Sequence, residues 1–382
     1  MSDLTNWPGE TGALSLTEKE FDTVDALAAA CISYLEFDGL SDGKGATFAE
    51  AEELGLILEN AGTFYPRQRE LFRRMAGSRR YGECRIRYFI NLTDEQIRMQ
   101  FSALCIDLTD GTTCVVFRGT DNSVIGWHED FDMAYLPVVP AQTAAAFYLG
   151  KVAGKHDRPL RVIGHSKGGN LAVYAAAAAD SETLAQIREV RSFDGPGLSD
   201  GVFASDGFAA IRPKLYCCFP QTAIIGRLMN YPENAEVILS HADGIRQHDP
   251  FSWEISNAAL TGLEGPDATS DLICETLHEW LDHSTDEQRA AFVDTLFQMV
   301  DPAEVTHLRD LGTDRLKKLT TAIGRVREVD PETRKVFARL LGQFLTLGAE
   351  NVWEKVRETP LITTVEDLWD KVRDMVTPDD GK

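Results

Sequence analysis

Residues 162–175 read VIGHSKGGNLAVYA, and this stretch constrains the fold more than any other. Arg161, Val162 and Ile163 suit a pleated strand, while LAVYAAAAA from Leu171 onward strongly favours helix. The chain must therefore pass from strand to helix within a few residues. Gly164 and Gly168 remove the Cβ atoms that would collide where the two elements close on each other. Ser166 is left at the tip of the turn, with a strained backbone and its hydroxyl facing outward.

The rest of the chain extends this unit into a layered α/β pattern. Residues 16–36 have helical spacing, with Phe21, Val24, Leu27 and Cys31 on one face. Short strands are predicted at 84–90, 101–108 and 114–119, with a turn or short helix between the first two. Helix follows at 140–156, strand at 159–163, helix at 169–180, and further strands at 188–193, 213–219 and 235–240. Alternation of this kind implies a mostly parallel sheet with helices on both faces. Residues 222–234 carry an apolar stripe (Ile224, Ile225, Leu228, Met229) that fits a buried crossover helix or a flap over the strand ends. Beyond about 258 the pattern becomes helical, beginning with a capping box at Ser284 and Glu287. The expected organisation is an α/β core over 1–258 and a helical extension over 259–382 packed on it.

Charge limits the partners. The chain has 38 basic and 60 acidic residues, a net charge of −22, and such a field repels phosphate backbones and anionic membranes. Nucleic-acid binding is not expected. No transmembrane segment is expected either, since the longest apolar stretch, Leu171–Ala179, is too short to span a bilayer. The start of the chain lacks an apolar signal core. Seven scattered cysteines without C-x-x-C spacing argue against a disulfide framework or a zinc site and for reduced thiols in the cytoplasm.

A serine hydroxyl becomes a useful nucleophile when a base takes its proton and a third group orients that base. The strand–G-x-S-x-G–helix arrangement is the nucleophile elbow of α/β-hydrolases, in which the order along the chain is serine, acid, histidine. Five of the eight histidines follow Ser166. His241 and His248 lie just after the last predicted core strand, and His248 sits in an irregular loop, GIRQHDPFSW, suited to presenting a side chain. His248 is the expected base. For the acid, Asp194 ends a predicted strand at the sheet edge where sites form; a cap on the adjoining Gly-Pro turn is its bland alternative, and Asp243 and Asp249 are further candidates. The oxyanion donors are expected to be the Lys167 N–H and the main chain and hydroxyl of Thr120, after the strand that ends VVFRGT. GWHEDFD, 126–132, concentrates acidic residues with His128; we read them as polar anchors near that loop, not as a metal site. No cofactor is called for.

The ordered blocks FRGTDNSVIGWHEDFDMAYLPVVPAQ, GHSKGGNLAVYAAA, DGPG and QHDPFSW resemble two related groups. FRGT followed by the GHS-x-GG turn is similar to the class 3 lipases. The closer resemblance is to the Mbeg-like bacterial family of intracellular α/β-hydrolase-like proteins, over roughly 16–258 and more weakly into 270–300. The resemblance implies Ser166 as nucleophile, His248 as base, and Thr120 and Lys167 at the oxyanion hole. Class 3 lipases carry their catalytic Asp one strand later than Asp194; here that region reads CCFPQTAIIG, with Gln221 and no carboxylate. Either Asp194 substitutes or Ser166 and His248 act as a dyad. Lys167 stands where lipases have an apolar residue, which implies a polar or anionic acyl group in preference to triglyceride.

The function expected is hydrolysis of a small-molecule or lipid carboxylic ester through an acyl-enzyme. The alternatives are an acyltransferase or thioesterase on the same machinery, or a binding protein that retains the fold without catalysis. Nothing in the sequence sets the oligomeric state.

Overall fold

The computed structural model describes residues 4–58, 65–121, 123–155 and 157–267, together with Asp271, Cys274, Thr285 and Arg289. The chain divides into two compact units, one comprising Met1–Asp121 and Leu136–Asp271, the other Asn122–Tyr135 and Leu272–Lys382.

The first unit is organised by one sheet. Its strands in chain order are β1 (Ala46–Thr47), β2 (Arg85–Asp94), β3 (Met99–Asp107), β4 (Thr113–Phe117), β5 (Leu160–His165), β6 (Ile187–Phe193), β7 (Leu215–Pro220) and β8 (Glu236–Ile238). A small separate hairpin, β9 (Ile255–Ser256) with β10 (Ala259–Leu260), precedes β11 (Gly262–Leu263), which returns to the main sheet. The spatial order is β1-β2-β3-β4-β5-β6-β7-β8-β11. The centre, β4 to β8, is parallel, and both flanks are antiparallel.

Strictly sequential parallel strands with crossovers of one hand put every intervening helix on the same side. The packing agrees. Val115, Phe117, Val162 and Val190 form one core with the helices Pro140–Ala153, Lys167–Ala177 and Asp206–Ile211. The alternate side chains of the same strands, Cys114, Val116, Ile163 and Phe193, face a second core. That core is closed by the N-terminal segment, with Trp7, the helix Thr23–Ile32, Phe48, and Phe72 of the helix Pro66–Ala76. Both faces are covered, as expected, but crossover helices cover only one of them.

Local signals set these boundaries. Asp22 accepts from Val24 N–H and Asp25 N–H and so fixes the start of Thr23–Ile32. Between β2 and β3 the chain makes a plain turn over 95–98, so the strands form a hairpin with no helix. The segment 222–234 forms neither a crossover helix nor a free flap. It is irregular, with one 3₁₀ turn at Ile225–Arg227, and pairs with the DGPG turn through Gly197 N–H to Leu228 O and Leu198 N–H to Asn230 O, both 2.8 Å. Strands β10 and β11 carry the first unit past residue 258 to Asp271. The helical extension expected for the remainder falls outside the described residues.

In the second unit, GWHEDFD lies in the helix Val124–Asp132, capped by Ser123 Oγ accepting from Gly126 N–H. His128 Nδ1 lies 3.1 Å from Asp132 Oδ1, and Tyr135 Oη donates to the same oxygen at 2.6 Å. Among the described residues no helix is long and apolar enough to cross a membrane.

Candidate active site

The carboxyl ends of parallel strands gather side chains from distant parts of the chain, because each strand terminates beside its neighbour. Phe117 is in register with Gly164, and His165 with Phe193. The residues that follow these strands, Arg118-Gly119-Thr120, Ser166 and Asp194, therefore emerge along one edge.

Ser166 has φ +59 and ψ −135, far from the regions open to most residues. Strain of this kind costs about 1–3 kcal/mol and persists only where surrounding structure enforces it. Here Ser166 N–H donates to Phe193 O at 3.0 Å, and Ser166 O accepts from Gly169 N–H at 2.8 Å. A Cβ on Gly164 would lie 2.0 Å from Gly168 O, so the strand and helix cross at a distance only glycine permits. The serine is 8% exposed, less open than a projecting tip would be. The reason is the next loop: a Cβ on Gly119 would come within 2.9 Å of Ser166 Cβ. Thr120, expected to supply an oxyanion donor, thus follows a residue in contact with the serine. Lys167 opens the helix Lys167–Ala177, where first-turn N–H groups lack intrahelical acceptors.

The Lys167 side chain departs from expectation. It is buried, and its Nζ donates to Gln100 O on β3 at 2.8 Å. The residue at a helix start points back over the preceding turn, here into the sheet. The ammonium is therefore not offered to a ligand beside Ser166, and the inference of an anionic acyl group loses its basis.

His248 ends the 3₁₀ turn Gly244–His248, and its Nδ1 lies 2.6 Å from Asp194 Oδ2. Asp194 is 1% exposed, and its other oxygen accepts from Gly226 N–H at 3.0 Å. Its φ of +46 turns the carboxylate across the strand ends, away from a cap on its own Gly-Pro turn. The other carboxylates near the histidine are engaged elsewhere. Asp249 pairs with Arg67 at 2.8 Å, with burial raising its pKa, and Asp243 is exposed beside Arg246. His241 pairs with Glu254 at 2.9 Å. Gln221, at the position where class 3 lipases have their acid, clips the main chain of Ser240 with both ends of its amide at 2.8 Å. Among the described residues no hydrogen bond joins Ser166 Oγ to His248.

Several contributors escape a reading of the sequence. His165 is buried; its Nε2 lies 2.9 Å from His248 O and its Nδ1 2.9 Å from Tyr34 Oη. Burial, and then the nearby His248, holds its pKa well below the usual histidine value. Arg118, the arginine of FRGT, is buried and donates to Ser33 O and Leu35 O at 2.8 and 3.0 Å, on either side of Tyr34. Burial lowers its pKa. Asn170 donates to Gly197 O at 2.7 Å and accepts from Gln142 Nε2 at 2.8 Å, fixing the turn after Asp194. A polar residue closing a fully buried strand was the available signal for His165; Tyr34, 131 positions away, offered none.

Among the described residues no group of three His, Cys, Asp or Glu is arranged to hold a metal ion. A small cavity is lined by Val173, Phe208, Phe219, Tyr231 and, among others, the Gly226 whose N–H donates to Asp194. It includes neither Ser166 nor His248. Its apolar walls carry none of the paired ionisable groups found along the strand edge.

The crystal structure of M37 lipase is similar to this chain at a TM-score of 0.35 and 15% identity, over 54% of this chain and 68% of that one. No curated protein sequence matches. The model of the Mbeg1-like family matches residues 75–298, more than half of the chain and including Ser166, Asp194 and His248. This protein belongs to the Mbeg1-like family.

Proposed function

We propose that this protein is a serine hydrolase of carboxylic esters on an α/β-hydrolase fold, with Ser166 as nucleophile, His248 as base and Asp194 as the acid that orients it. The observation that carries this reading is the 2.6 Å contact between His248 Nδ1 and the buried Asp194 carboxylate. A carboxylate accepts there only from a protonated Nδ1, which leaves Nε2 free of its proton and able to take one.

The chemistry then balances in two halves. Ser166 Oγ bonds to the ester carbonyl carbon as its proton passes to His248 Nε2. The carbonyl oxygen becomes an oxyanion, stabilised by the N–H groups of Lys167 and Thr120. Collapse breaks the ester bond, and His248 returns the proton to the departing alkoxide, leaving acyl-Ser166 and a free alcohol. Water repeats the sequence, with His248 again as base, and releases the carboxylic acid. The serine–histidine hydrogen bond forms with substrate in place, since such bonds are often long without it. Seven scattered cysteines without C-x-x-C spacing support a reducing, cytoplasmic setting.

The test is labelling of the full chain with an alkyl fluorophosphonate, together with hydrolysis of p-nitrophenyl acetate. Wild type should label at Ser166, and Ser166→Ala should lose both labelling and about 10⁴- to 10⁶-fold in turnover. A Ser166→Ala protein hydrolysing at the wild-type rate refutes the assignment.

A further inference from the structure

We propose that Tyr34 and His165 form a buried positioning pair that holds the main chain of His248, and with it the imidazole, against the strand edge. The inference rests on the reading of Ser166, Asp194 and His248 given above.

The hydrogen-bond directions follow from chemistry. The His248 carbonyl can only accept, so His165 Nε2 carries the proton. With Nε2 protonated in a neutral ring, Nδ1 is the acceptor, and the Tyr34 hydroxyl donates to it. The pair is thus a directed relay: Tyr34 O–H to His165 Nδ1, then His165 Nε2–H to His248 O.

His248 needs such a tie because no regular element holds it. It ends a short 3₁₀ turn, and the preceding residue is fastened separately. Gln247 O accepts from Trp253 Nε1 at 2.7 Å, and the Gln247 amide bridges Thr222 N–H and Ala242 O at 2.9 Å each. For His248 itself the corresponding tie comes from His165. The two imidazoles lie with centroids 4.7 Å apart and planes inclined by 33°, so displacement of one ring displaces the other. At its far end the relay is anchored by Arg118, which grips the carbonyls flanking Tyr34. The arginine beside the expected oxyanion loop thereby fixes the tyrosine that fixes the base. A residue acting on the base through its backbone leaves ester binding alone and alters the rate of proton transfer.

The experiment compares wild type with His165→Phe, which keeps a ring but no donor, His165→Gln, whose Nε2 reaches to a similar point, and Tyr34→Phe. The readouts are the second-order rate of fluorophosphonate labelling at Ser166, and kcat and KM for p-nitrophenyl acetate, all well below the lowest Tm of the set. A base displaced by about 1 Å loses on the order of 10²-fold. His165→Phe should therefore lose about 10- to 100-fold in labelling rate and kcat together, with KM within about twofold. His165→Gln should recover most of that loss, and Tyr34→Phe should fall between. Wild-type kcat in His165→Phe, or a Gln variant as slow as Phe, overturns the proposal. Should His165→Phe fail to fold, Tyr34→Phe decides, and a wild-type labelling rate there overturns it equally. A wild type that never labels at Ser166 instead refutes the serine reading and this inference with it.

Discussion

Asp194 sits at the point where the two alternatives for this site, a triad or a Ser–His dyad, diverge. Its buried carboxylate binds Gly226 N–H with one oxygen and His248 Nδ1 with the other, so Asp194→Asn keeps the shape while removing the charge that fixes one tautomer. We expect Asp194→Asn to remain folded and to lose about 10⁴-fold in kcat. Asp243→Asn and Asp249→Asn should stay near wild type, since their carboxylates face Arg246 and Arg67. Steady-state hydrolysis of a short-chain ester by the three variants decides; a collapse of Asp249→Asn with Asp194→Asn unaffected would move the acid to the histidine loop. His165 gives a second residue-scale expectation. Burial holds its pKa below the unfolded value of about 6.5, so below that pH the unfolded chain binds a proton that the folded chain refuses. Its contribution to stability is complete above about pH 6.5 and is lost as pH falls, by at most about 1.4 kcal/mol per unit. Urea unfolding between pH 7 and 5 should therefore show a steeper loss for wild type than for His165→Gln. Equal slopes would mean that the ring is charged in the folded protein.

At the scale of elements, the positioning of Tyr34 depends on how the helix Thr23–Ile32 is docked. Asp25 of that helix is fully buried and receives Arg80 through Nε, at 2.9 Å, and Nη2, along with the Tyr81 hydroxyl. The same guanidinium donates to Lys19 O and Glu20 O. Removing one partner strands a buried charge, so Arg80→Met should cost about 3–5 kcal/mol. The double variant Asp25→Asn/Arg80→Met should recover part of that loss. Denaturant midpoints test this, and a single variant within about 0.5 kcal/mol of wild type would show Asp25 to be tolerated without its partner. The same elements show what the sequence made legible. The alternation of Val and Ile runs with helical segments yields β4 to β7 and two of the three crossover helices, Pro140–Ala153 and Lys167–Ala177, within a few residues, because their periodicity is local; the short helix Asp206–Ile211 is not among the helices expected. His248 and Asp194 could be named because the order of parallel strands brings their ends together. The irregular 222–234 segment defeated a periodic reading: of its apolar stripe only Ile224 is buried, and the segment serves as the loop that delivers Gly226 N–H to Asp194. Lys167 misled for a related reason, since a helix-start side chain can turn into the sheet without any signature in its neighbours. The Asp25–Arg80 and Tyr34–His165 pairs span 55 and 131 positions, distances over which a single sequence carries no pairing signal.

The whole molecule adds its field to the site. With a net charge of −22, long-range attraction is reserved for cations and long-range repulsion for anions, and the lysine next to Ser166 is buried against Gln100 O. An anionic ester therefore approaches against the potential, whereas a neutral one is indifferent to it. The Debye length falls from about 30 Å at 0.01 M salt to about 10 Å at 0.1 M, so added salt should relieve the repulsion. We expect kcat/KM for the p-nitrophenyl monoester of succinate to rise about three- to tenfold between ~0.01 and ~0.3 M NaCl, with p-nitrophenyl acetate nearly constant. Comparing the two salt slopes cancels the esters' intrinsic reactivities. The rise should appear in KM more than in kcat, because the field acts on encounter and binding and the chemical step is governed by groups within a few ångströms. A succinyl ester whose kcat/KM stays flat or falls with salt would mean that a cation at the acyl site outweighs the surrounding acidic charge. The anionic acyl preference read from Lys167 in the sequence would then rest on another side chain.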